Sequence, residues 1–169
     1  QKAVLDFIAG RGMACSPYFA QYYLEALCRF GRKDVARRLM VSRDERSWLG
    51  MLANGATITT ELWDLTDRQF GIDMSHAWST APLNVITRCI LGVTPLKPGF
   101  EEISVAPHLG ALTYVEAKIP TARGPLEMRI DVLGDEWSVR LRVPAKTVFA
   151  AFGEDITLAA GEHVFKKGR

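Results

Sequence analysis

Glu61 lies between threonines and tryptophan in the stretch Gly55-Ala56-Thr57-Ile58-Thr59-Thr60-Glu61-Leu62-Trp63-Asp64, and Ser75-His76-Ala77-Trp78-Ser79 follows it shortly after. Connecting segments are normally polar, surface-running chain; this one holds a carboxylate, two indoles and an imidazole at the start of a helical pattern. Such a set suits carbohydrate. Indole faces stack on the apolar faces of sugars, carboxylates accept hydrogen bonds from hydroxyls, and one carboxylate can take a proton from water. Each residue also has a plainer reading. Glu61 reads equally as an exposed loop carboxylate, His76 as a helix cap or core histidine, and Trp48 and Trp78 as core. Asp64, Asp67 and Asp73 lack the spacing of a compact calcium loop. Ser75, His76 and Asp73 make no convincing nucleophilic triad, because sequence neighbours rarely converge in that way.

The elements that must hold these residues change character near residue 95. Before it the apolar period is helical. Ser16-Pro17 is a start signal, and Phe19, Tyr22, Tyr23, Ala26 and Leu27 then share one face as far as Gly31. A second helix is expected from about Lys33 to Val41. Ser42 and Glu45 resemble a capping box that opens a third through Trp48, Leu49 and Leu52 to Asn54-Gly55. A fourth, nearly all apolar, is expected from Ala77 to Leu91, buried on most sides and ended by Gly92. After Pro95 short strands alternate with turns: Glu102–Ala106, Thr113–Ile119, Leu126–Val132, Ser138–Val143, Thr147–Phe152 and His163–Phe165. Leu126, Met128, Ile130 and Val132 alternate with polar residues, a period of two. Arg123-Gly124-Pro125, Leu133-Gly134-Asp135 and Gly153-Glu154-Asp155 supply turns. The reading is an all-α segment, residues 1–96, followed by an antiparallel β-sandwich, residues 97–169, with the junction at Lys97-Pro98-Gly99.

Composition narrows the functional classes. A net charge of +2 is too small to mark a nucleic-acid or anionic-membrane surface. The arginines at 32, 37, 38, 43 and 46 are interleaved with Asp34, Asp44 and Glu45, as on a solvated helix face. No apolar run approaches the roughly 18 to 20 residues of a membrane span. Cys15, Cys28 and Cys89 are scattered without CxxC spacing and read as buried thiols, with no disulfide framework, metal site or cofactor expected. The opening Gln1-Lys2-Ala3-Val4 reads as the middle of a longer sequence, so the lack of a signal peptide carries no information on export.

In combination these motifs resemble those of the α-L-rhamnosidases. Gly55-Ala56-Thr57, Glu61, Trp63 and Asp64 are similar to that family's GAT-x-x-x-E-x-W-D segment. Ser75-His76-Ala77-Trp78-Ser79, Pro82, Ile90-Leu91-Gly92-Val93, Pro95, Pro98-Gly99 and Phe100 resemble its next segment, and the Ser16-Pro17-Tyr18-Phe19 helix matches as well. The resemblance implies the last helices of a six-hairpin (α/α)6 barrel, then a C-terminal β-sandwich, in an enzyme that hydrolyses terminal α-L-rhamnosides with inversion. It implies that Glu61 is the general base, His76 a sugar contact, and Trp63 and Trp48 pocket-wall residues. Thr60 stands where a tryptophan is common in the family, and Leu62 where a polar residue is frequent. The family's general acid comes from an earlier barrel segment, so the implied partners are a rhamnosyl glycoside and a missing N-terminal part. The chain by itself is expected to be inactive, with sticky helical faces. Two alternatives stand beside this reading: a non-catalytic carbohydrate-binding or architectural module, and a related barrel acting on another sugar.

Overall fold

The computed structural model describes residues 2–65, 71 and 73–168; Asp67 lies outside them. The chain forms two compact units, Gln1–Ile86 and Thr87–Arg169. No helix among the described residues is long and apolar enough to cross a membrane.

The first unit is helical: α1 (Lys2–Gly10), α2 (Ala20–Arg29), α3 (Lys33–Met40), α4 (Trp48–Ala53) and α5 (Ala81–Val85). The Ser16 carbonyl, not its hydroxyl, begins α2 by accepting from Ala20 N at 3.1 Å. The buried stripe of α2 is Ala20, Leu24, Leu27 and Cys28. Phe19 and Tyr22, expected on the inner face, are each 57% exposed. The small and aliphatic side of this helix takes the close-packed contacts, while Phe19 and Tyr22 face outward. Tyr23 Oη, within 2.6 Å of the Ile8 carbonyl and 2.8 Å of that of Gly12, ties α2 to the end of α1.

The cap of α4 is Ser47 rather than Ser42. Ser47 Oγ accepts from Gly50 N at 2.9 Å and donates to the Asp44 carbonyl at 2.6 Å. Ser42 is spent on a local turn, bonded to the carboxylate and the amide of Asp44. Gly50 is required here, since a Cβ would stand 2.5 Å from the Glu45 carbonyl oxygen. The helix stops at Asn54-Gly55, as expected, with Ala56 N returning to Met51 O at 3.0 Å.

The expected helix over 77–91 is broken into three. A 3-10 turn (Ala77–Ser79) precedes α5, and a π turn (Ile86–Ile90) follows it. Pro82 sits in the first turn of α5; with no N–H to give to an earlier turn, proline starts a helix better than it continues one. Nor is this segment buried on most sides, because Trp78 and Leu83 are each 74% exposed.

The second unit is a sandwich of two four-stranded sheets, ordered β1-β2-β6-β7 and β3-β4-β5-β8. Its strands are β1 (Val93–Pro95), β2 (Glu102–Val105), β3 (Tyr114–Ile119), β4 (Leu126–Leu133), β5 (Glu136–Val143), β6 (Lys146–Ala151), β7 (Glu154–Leu158) and β8 (Gly161–Gly168). Pairing is antiparallel except for β2 with β6, which run parallel with Ile103 opposite Thr147. The alternation read in β4 holds, with Leu126, Met128 and Ile130 all buried. They meet Ile103, Val105, Phe149 and Leu158 of the other sheet in one core.

Two strands escaped the sequence reading. β1 is three residues long and ends on a proline, as an edge strand can; read from the sequence it fell on the helical side of residue 96. β7 was read as a turn from its acidic start. The turn is Phe152-Gly153, both at positive φ (59° and 78°), so the strand begins at Glu154 itself.

Candidate active site

Two extended segments of the helical unit are zipped together around Glu61. His76 N donates to Thr59 O at 2.7 Å and Thr59 Oγ1 donates to His76 O at 2.8 Å. One step further along, Glu61 N donates to Asp73 O at 3.0 Å, and Asp73 N donates to Glu61 Oε2 at 3.2 Å. The half-buried Glu61 is thus held at both its backbone and its carboxylate, although fifteen positions separate it from His76. Thr60, fully buried between them, turns its hydroxyl to Leu62 O at 2.8 Å.

His76 is fixed on three sides. Its Nδ1 lies 3.2 Å from Asp73 Oδ2, its ring lies 5.2 Å from that of Tyr18, and its backbone is bonded to Thr59. The Asp73 carboxylate also accepts from Ser75 N at 2.8 Å. The Ser75 amide and then His76 hold the Asp73 carboxyl below the usual carboxylate range. These neighbours do converge, but as a carboxylate–imidazole pair. Ser75 contributes its amide to that pair.

The tryptophans form a second cluster. Trp48 and Trp63 meet edge to face, with centroids 5.0 Å apart and planes at 86°, a contact worth about 0.5–1.5 kcal/mol beyond area burial. Trp48 Nε1 donates to Ser79 O at 2.8 Å and Trp63 Nε1 to Cys15 O at 2.6 Å. These bonds tie the Glu61 segment and the 3-10 turn after His76 to the rest of the unit. Trp63 is only 6% exposed. It lines a cavity of about 340 Å³ with Cys15, Glu45, Arg46 and Asp64, among others. Neither Glu61 nor His76 is in the wall of that cavity. Of the four residues singled out from sequence, the structure therefore joins Glu61 with His76 and Trp48 with Trp63. Trp78, read as core, stands exposed.

Tyr18, Thr59 and Asp73 complete the first cluster and were not assigned to it beforehand. A signal for Asp73 existed: an aspartate two residues before a serine often bonds that residue's backbone amide.

Residues 12–90 match the model of the bacterial alpha-L-rhamnosidase 6 hairpin glycosidase domain, and residues 92–150 that of the bacterial alpha-L-rhamnosidase C-terminal domain. The chain belongs to the bacterial alpha-L-rhamnosidase family. An alpha-L-rhamnosidase from Alteromonas sp. (strain LOR) is 29% identical to it over 140 residues, 79% of this chain and 15% of that protein. Solved structures share the fold. The alpha-L-rhamnosidase from Dictyoglumus thermophilum superposes with a TM-score of 0.79 at 21% identity, over 89% of this chain and 20% of that one. That of Streptomyces avermitilis, complexed with L-rhamnose, gives 0.77 at 20% identity over 88% and 17%. That of Aspergillus terreus gives 0.75 at 20% identity over 87% and 18%. The helical segment followed by a β-sandwich is a fold shared with those structures, while the chain spans a fifth or less of the length of these relatives.

Proposed function

We propose that this chain supplies the water-activating side of an inverting glycoside hydrolase that acts on terminal α-L-rhamnosides, with Glu61 as general base. The observation that carries the reading is the placement of Glu61. The motif glutamate of a rhamnosidase-family segment has one carboxylate oxygen on the Asp73 amide, and the same residue's side chain holds His76. In the step proposed, a water attacks the anomeric carbon and gives its proton to Glu61 as the bond to the leaving oxygen breaks. The leaving oxygen takes a proton from a carboxylic acid on the opposite side, roughly 6.5–9.5 Å from the base so that water fits between. That acid comes from a part of the protein outside this chain, which together with these helices completes the barrel.

His76 contacts the sugar beside the base. Trp63 and Trp48 brace the segments that carry the site, their indole N–H groups already spent on Cys15 and Ser79 respectively. Glu61→Gln in the intact enzyme tests the assignment against a non-catalytic sugar-binding module. It keeps the shape of the side chain and removes the base, so kcat should fall by a factor on the order of 10² to 10⁴ while rhamnose still binds. Unchanged turnover would refute it, and a panel of nitrophenyl glycosides identifies the sugar.

A further inference from the structure

We propose that Asp73 is a positioning residue that fixes the tautomer of His76, so that His76 meets its sugar as a hydrogen-bond acceptor. This rests on reading the Glu61–His76 cluster as a sugar site. An ionised carboxylate only accepts, and a neutral imidazole carries one N–H. With Asp73 Oδ2 at 3.2 Å, the proton belongs on Nδ1, and Nε2 keeps its lone pair. The carboxylate is itself pinned: its other oxygen holds Ser75 N at 2.8 Å, and the Asp73 backbone exchanges bonds with Glu61. The ring is held against Tyr18, and the side chain remains 22% exposed. One aspartate thereby sets the direction of a hydrogen bond to the sugar and, through its main chain, the place of the base.

Asp73→Asn separates the two roles. It leaves the backbone bonds to Glu61 in place, while an amide N–H now donates to Nδ1 and drives the ring proton to Nε2. In the intact enzyme, Asp73→Asn should raise KM for a nitrophenyl rhamnoside about tenfold, the cost of reversing one hydrogen bond. In a His76→Ala background the same change should add less than about twofold. An unchanged KM, or losses that multiply in the double variant, would overturn the proposal. The ring nitrogens give a second readout that needs no turnover. In ¹⁵N-histidine-labelled protein, His76 should be protonated at Nδ1 at neutral pH and at Nε2 in Asp73→Asn. An Nε2–H tautomer in the parent sinks the idea. Persistence of turnover in Glu61→Gln would remove the catalytic reading while leaving the tautomer assignment to stand or fall on the nitrogen shifts.

Discussion

Asp73 makes four hydrogen bonds to three residues, two of which, Glu61 and His76, carry the chemistry proposed for this unit. That economy was hard to see in the sequence. Residue types and motif spacing pointed to Glu61 and His76, but the pairing of 59–61 with 73–76 runs through backbone groups, which every residue shares. The tryptophans were legible as important and not as to how. An indole reads alike whether its face or its N–H is used, and here both N–H groups are structural pins. The α4 cap shows the same ambiguity. Ser42 and Ser47 both suit a cap by type, but only Ser47 has the amide of its third following residue within reach. Ser47→Ala should therefore cost about 1 kcal/mol, and Ser42→Ala, whose bonds are exposed and local, only a few tenths. Urea denaturation of the two variants checks this, and equal losses would place the cap elsewhere.

At the scale of elements, the strands were more legible than the helices. Period-two alternation survives directly as burial in β4, because a strand with one face in the core has just one register that hides its apolar set. The run from Ala77 to Leu91 looked like one helix because it is apolar throughout. Hydrophobicity does not report the missing N–H of Pro82, around which the segment divides. Sheet order was not legible at all. β2 lies beside β6, some forty residues later and parallel to it, and no local pattern names a distant neighbour. β7 was hidden by its own edge position: Glu154 and Asp155 are charges of the kind that keep a sheet edge from pairing with other chains.

At the scale of the whole molecule, acid should act more on the sandwich than on the helical unit. Among the described residues, Glu102 is held below the usual carboxylate range by Lys146 and then Lys97, Glu127 by Lys118, Asp131 by Arg129 and Glu154 by Lys167. All four are in the sandwich. Asp73 is the counterpart in the helical unit, held down by the Ser75 amide and His76. A carboxyl group with a depressed folded value adds stability that is full above its unfolded value, near pH 4, and is lost as pH falls through the folded value. Tm should thus be flat above about pH 5 and fall below about pH 4, the fall shrinking in salt because the lysine and arginine partners are exposed. Thermal melts followed by circular dichroism from neutral pH to pH 2 would show it; a Tm that rises on acidification contradicts it. The claim on which the functional account turns is still that Glu61 takes a proton from water. Azide attacks carbon without needing to lose a proton, so it can replace a nucleophile whose base is gone. In the intact enzyme, Glu61→Ala should be inactive on an activated α-L-rhamnoside until azide is added, and should then release the rhamnosyl azide of inverted configuration. A Glu61→Ala variant that hydrolyses the substrate at the parent rate without azide would contradict the account.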